Sequence, residues 1–192
     1  MTTKMCSKCK QEKTLTQFYN EKRVYCIECE RKMARARMKR YNATFKGKAM
    51  AALNSSRKAV RKIEKETGRK IKDDLTFFDV AMVLDQSECT YCGKQTSTSK
   101  RTIDHITPLR YGGDNTFSNI TMACRSCNSR KNDIPAFEYC LQQGMPFEEF
   151  EQIVDKIAQR NRISFGAAFK RLVEDMGVYY EAMLEQERKK IS

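Results

Sequence analysis

The spacing of apolar and polar residues changes several times along this chain, and each change marks an element. Residues 1–30 are mostly polar, with Leu15, Phe18, Tyr19 and Tyr25 available for a small core. From about 30 to 72, the stretches ERKMARARMKRY and NSSRKAVRKIEKETG are rich in helix formers and poor in apolar positions. They predict helices lying along a partner rather than inside a core, the second capped by Asn54 or Ser55 and ended by Gly68. In LTFFDVAMVLDQSEC, Phe77, Val80, Ala81 and Leu84 share one face, Thr76 stands as N-cap and Asp79 follows three residues on, predicting a short helix. KRTIDHITPL then reads as a strand ended by Pro108, YGGDN as a turn, NITMAC as a second strand and RSCNSRKN as a helix. Three more helices are predicted: 135–143, stopped by Gly144; 146–160, with Phe150, Ile153, Val154 and Ile157 in step; and 164 to about 187, with Phe165, Phe169, Leu172, Val173 and Met176 in step. The expected class is α+β and mostly helical.

A chain of 192 residues with 40% hydrophobic and 32% charged residues can bury a core, but one shared among several units would be thin. Local staples are therefore expected, and the nine cysteines supply them. Eight fall into four CxxC pairs: Cys6 with Cys9, Cys26 with Cys29, Cys89 with Cys92, and Cys124 with Cys127. A two-residue gap aims both thiolates at one tetrahedral ion, and two such knuckles complete a structural zinc site. The first two pairs are 16 residues apart and the last two 31, so two zinc ions are expected. Cys140, within AFEYCL, reads as a small buried side chain rather than a ligand. With neither a secretion signal nor an apolar run of about 18 residues, the chain is expected to be soluble and cytoplasmic, off the membrane, with its thiols reduced.

Charge narrows the partner. The formal net charge is +13, yet residues 31–72 alone carry +14, whereas 73–88 carry −5, 89–132 carry +5 and 133–192 carry −3. Such a concentrated positive surface suits a polyanion of phosphates, so DNA is the expected partner. Arg35, Arg37, Lys39, Arg40, Lys58, Arg61 and Lys62 are candidate contacts in the basic segment. Arg110, Arg130 and Lys131 are candidates beside the second zinc loop. The domains expected are a zinc knuckle at 1–30, a basic helical DNA-binding segment at 31–72, a zinc-stapled unit at 73–133 and a helical region at 134–192.

The single histidine, His105, lies in TIDHITP directly after Asp104 and inside the longer cysteine loop, together with Asn119 and Asn128. Taken alone, Asp104 reads as a turn acid and the asparagines as caps. Taken together, CTYCGK, TIDHITPLRYGGDN and SNITMACRSCNSRKND resemble the ββα-metal, or HNH, endonucleases, and look like the phage recombination endonuclease VII type, with a zinc knuckle added ahead. The resemblance implies a ββα-metal core that hydrolyses phosphodiesters. In it His105 is the general base, Asp104 and Asn128 hold Mg2+ or another divalent ion, and Asn119 braces the loop. Where many relatives carry a second histidine, this chain has Asn128. Neighbours on an ideal strand point to opposite faces, so Asp104 is expected to turn to the metal and His105 to the attacking water. The function expected is a metal-dependent HNH DNA endonuclease of phage or homing type. The alternatives are a non-catalytic zinc-dependent DNA-binding protein and a junction resolvase, and the oligomeric state, monomer or homodimer, is open.

Overall fold

Two short strands begin the fold, β1 (Thr3–Met5) and β2 (Glu12–Thr14), paired antiparallel with Thr3 opposite Thr14. The computed structural model describes residues 2–191, and they divide into two units, one up to Lys48 and one from Ala49 onward. In the first unit α1 (Ile27–Ala43) follows the hairpin and buries none of its residues. The buried centre is Cys6, Phe18 and Cys26, with Tyr25 packed against it. Tyr19, expected in that core, is 55% exposed. So little apolar burial cannot hold a unit of this size together without a further constraint.

Helix α2 (Phe45–Thr67) starts earlier than expected and contains the boundary between the units. Asn54 and Ser55 are therefore exposed positions in mid-helix rather than caps, and the Thr44 hydroxyl accepts the Gly47 N–H at 3.0 Å instead. Its apolar residues are few but fall on one stripe, burying Ala49, Leu53, Val60 and Ile63. The expectation that 31–72 stays outside a core is thus corrected for α2. Composition changes near residue 72, but packing recruits the end of the basic segment into the second unit.

In that unit α3 (Phe77–Asp85) opens with the expected capping box, Thr76 and Asp79 each accepting the other's backbone N–H. Strands β3 (Arg101–His105) and β4 (Ile120–Cys124) pair antiparallel, with Asp104 opposite Thr121 and His105 opposite Ile120. Helix α4 (Arg125–Lys131) leads out of β4 and packs on the hairpin, as α3 does. Then come α5 (Ala136–Gln142), α6 (Phe147–Asn161) and α7 (Phe165–Ile191), with Phe137 stacked on Phe150 at 4.4 Å. One apolar core joins Leu53 of α2, Leu84 of α3, Ile120 and Met122 of β4, Cys140 of α5, Val154 of α6 and Leu172 of α7. Among the described residues no helix is long and apolar enough to cross a membrane.

Candidate functional site

The cysteines form two clusters, and in each the four sulfurs lie within 4.8 Å of one another. Cys6 and Cys9 sit in the turn between β1 and β2, Cys26 caps α1 and Cys29 lies in its first turn. In the second cluster Cys89 and Cys92 precede β3, Cys124 caps α4 and Cys127 lies in its first turn. Such sets fit one tetrahedral ion with metal–sulfur bonds of about 2.3 Å, and each can hold zinc. Burial, then the charge of Cys89, pushes the Cys127 thiol up to about 12, so a cation is needed before all four ionise. Beside Cys127 the Tyr139 hydroxyl is buried without a hydrogen-bond partner among the described residues. A metal-bound thiolate would be its missing acceptor.

The second cluster ties both ends of the β3–β4 hairpin, whose strand alternation separates Asp104 from His105. Asp104 is 6% exposed, and its Oδ2 accepts from Tyr91 Oη at 2.5 Å and from Lys131 Nζ at 3.0 Å. Burial, then the Asp104 charge, holds the Tyr91 phenol well above its ordinary range, so it stays a donor. Lys131 is wholly buried and also donates to the His105 carbonyl at 2.7 Å. It braces the strand end and is not the phosphate contact expected from sequence, because its ammonium is spent inside. Asn128 gives its Nδ2 to Thr102 Oγ1 at 3.0 Å and to the Ile103 carbonyl at 3.2 Å, on the face that carries Thr102 and Asp104. These bonds use Oδ2 of Asp104 and Nδ2 of Asn128, which leaves an Oδ1 on each. Two such oxygens are a donor set that fits a hard divalent cation.

His105 turns the other way, its Nε2 lying 3.0 Å from Asn115 Oδ1 and 3.4 Å from Ser56 Oγ. Burial lowers its pKa below the ordinary value, partly opposed by the bond to Asn115, so the ring is neutral at neutral pH and can accept a proton. Asn119 is fully buried: its Oδ1 accepts the Thr107 N–H at 2.9 Å, and its Nδ2 donates to the Thr107 and Asp114 carbonyls at 2.9 and 2.8 Å. It clamps the loop after His105 and is too enclosed to touch a substrate. The clamp explains Gly113, where any Cβ would strike the Thr107 carbonyl and come within 2.8 Å of Asn119 Nδ2.

This stretch is also where a known family matches. Residues 89–136 fit the HNH endonuclease family model. The matched HNH segment is a quarter of the chain and contains the second cysteine cluster, both strands and α4. No curated protein matches the chain. A similar solved structure is the Type II-C Cas9 enzyme from Actinomyces naeslundii, at 18% identity and a TM-score of 0.36. The alignment covers 78% of this chain and 15% of that one, so this chain spans a small part of its length.

Arg35, Arg37, Lys39 and Arg40 on α1 in the first unit, and Lys58, Arg61 and Lys62 on α2 in the second, are all exposed. Arg130 is exposed too, with its guanidinium 3.7 Å from Cys127 Sγ. Arg110 is engaged by Glu66 at 2.5 Å and Asp133 at 4.0 Å, which leaves less of its charge for a phosphate. Sequence reasoning missed Ser56, Asp73, Tyr91 and Asn115. It placed the helix at 164–187 but missed its reach to the site loop, where Asp175 of α7 accepts the Thr107 hydroxyl and Arg171 reaches Asn119 Oδ1 at 3.3 Å. The signal for Ser56 was its place as the polar member of an apolar stripe. Partners 52 and 68 residues away leave no trace in local spacing.

Proposed function

We propose that this chain is a divalent-metal-dependent DNA endonuclease, with its phosphodiester-hydrolysing centre in the HNH segment. The observation that carries the reading is the hairpin with α4 packed on it: Asp104 of β3 and Asn128 of α4 offer a carboxylate and an amide oxygen on one face, and His105 offers a neutral imidazole on the other. Asp104 and Asn128 would hold the cation, Mg2+ being the first to try, and it would neutralise charge on the scissile phosphate and the departing oxygen. His105 takes the proton of the attacking water, while Lys131 and Tyr91 hold Asp104 in place and Asn119 holds the loop. The exposed basic faces of α1 and α2 give DNA its electrostatic attraction. The asparagine directly after Cys127 is the feature shared with the endonuclease VII type, and it makes a four-way junction the first structured DNA to compare with linear duplex. The biological setting consistent with that likeness is a phage or homing nuclease in the cytoplasm of its host.

Zinc-loaded protein incubated with supercoiled plasmid and Mg2+ is expected to give nicked or linear DNA. His105→Ala should slow this by about 10²–10⁴-fold with DNA affinity unchanged. If the wild type cuts neither plasmid, duplex nor junction with any divalent ion, the chain is a non-catalytic zinc-dependent DNA-binding protein instead.

A further inference from the structure

The His105 side chain meets Asn115 and Ser56, and Asn115 in turn meets Asp73; Ser56 and Asp73 both come from before the HNH segment. Ser56 lies on α2 among Leu53, Val60 and Ile63 and is 6% exposed, a place where an alcohol needs a partner. Its hydroxyl donates to Asn115 Oδ1, from the fully buried Asn115 in the loop between the strands. The other end of that amide, Nδ2, donates to Asp73 Oδ1 at 2.7 Å. Asp73 bridges to Asn115 through the backbone as well: the Asn115 N–H reaches the Lys72 carbonyl at 2.8 Å, and the Leu75 N–H reaches the Asn115 carbonyl at 3.2 Å. Arg57 stands 3.9 Å from the same Asp73 oxygen.

These contacts decide where the imidazole carries its proton. A carboxylate only accepts, so the amide end facing Asp73 is the NH2, and the end facing His105 is the carbonyl oxygen. That oxygen also only accepts, and the single Ser56 hydroxyl proton is already given to it. Nε2 at 3.0 Å must therefore be the donor. We propose that Asp73 and Asn115 are positioning residues that hold His105 as its Nε2–H tautomer, with Ser56 a second donor to the same amide oxygen, and leave Nδ1 as the nitrogen that receives the proton. The catalytic meaning of this rests on the nuclease reading, but the tautomer does not. The reacting centre then extends beyond the family-matched segment, to a residue of α2 and to the strand-like stretch before α3.

Because His105 is the only histidine, the test is unambiguous. A long-range proton–nitrogen spectrum of the full chain, zinc-loaded and labelled at histidine, is recorded at pH 8, where the ring is neutral. The expected pattern is protonated Nε2 and bare Nδ1; protonated Nδ1 in the wild type overturns the proposal. Asp73→Asn, which does not touch His105, lets the Asn115 amide turn round. It should bring the Nδ1–H form up to a comparable population and lower kcat by at least about tenfold, with KM within about twofold. An unchanged spectrum and an unchanged kcat in this variant would overturn the role of Asp73. Should Asp73→Asn fail to fold, Ser56→Ala leaves Asp73 and Asn115 in place and should keep Nε2–H; a switch to Nδ1–H there overturns the role of Asn115. A wild type with the expected tautomer that cuts no DNA would uphold the positioning network and sink the nuclease reading alone.

Discussion

Cys26 caps α1 and gives its N–H to Cys6 Sγ at 3.2 Å, while Cys124 caps α4 and gives its N–H to Cys89 Sγ at 3.3 Å. The knuckle turns match as well. The N–H of Lys10 returns to the Cys6 carbonyl and that of Gly93 to the Cys89 carbonyl, and both residues have positive φ, 58° and 65°. The clusters differ in what hangs between their halves. In the first, the 16 residues before Cys26 hold one short strand and bury only Phe18 among their apolar side chains. In the second, the 31-residue span holds β3, most of β4 and the clamped loop, set in a core shared with six helices. The same staple therefore does two jobs. Loaded with metal, it would substitute for a core in the first unit and align a site within an existing core in the second.

The contrast is open to test, most severely at the ligands. Cys26→Ser should strip the first unit of its zinc, a loss of about 10–16 kcal/mol of apparent binding free energy and more than so small a unit can spare. Hydrogen-exchange protection should vanish across residues 2–48 while residues 49–191 keep theirs. Cys124→Ser should instead cost β3, β4 and α4 their protection and leave α6 and α7 protected. Each variant should carry one zinc by elemental analysis, and protected strands in Cys124→Ser would show that the core alone aligns the hairpin. A smaller effect compares the spans. Asn119→Ala leaves the Thr107 N–H and two carbonyls unpaired inside the protein and should cost about 2–5 kcal/mol in urea unfolding. Asn20→Ala removes one exposed bond, to the Lys22 N–H at 3.1 Å, and should cost about 0.5 kcal/mol or less. Smallest is the exchange at the matched turn residues. Lys10→Gly should stabilise the first knuckle by about 1 kcal/mol, and Gly93→Lys should weaken the second by a similar amount. Negligible shifts in zinc-release midpoint in both variants would show that positive φ costs nothing at these turns, and shifts of clearly unequal size would show that the two turns are not equivalent.

Elements with a strong local rule were readable in advance. The Thr76–Asp79 box, the strand at 101–105 and the breaks near Gly68 and Gly144 depend on residues within a few positions, where propensity and capping chemistry act. The start of α2 was misread, since Asn54 and Ser55 are good caps in isolation but lie within a continuous run of helix formers. Lys131 was misread for a related reason: a lysine in a basic, zinc-flanked stretch has the composition of a phosphate contact, and only the fold shows it enclosed beneath Asp104. Tyr91 gave no warning either, as its partner Asp104 is 13 residues away on another element.

What the sequence determined by itself is whatever spacing can encode. It determined the pairing of cysteines into two clusters, the alternation that sends Asp104 and His105 to opposite faces, and the charge concentrated in one segment. The tertiary structure alone decided which groups complete the site. Ser56 reaches His105 across 49 residues, Asp73 reaches Asn115 across 42, and Asp175 of α7 reaches Thr107 across 68. Such contacts follow from how helices settle onto a shared apolar core. Burial then obliges each polar group to find whatever partner lies across the gap, and no local period records that choice.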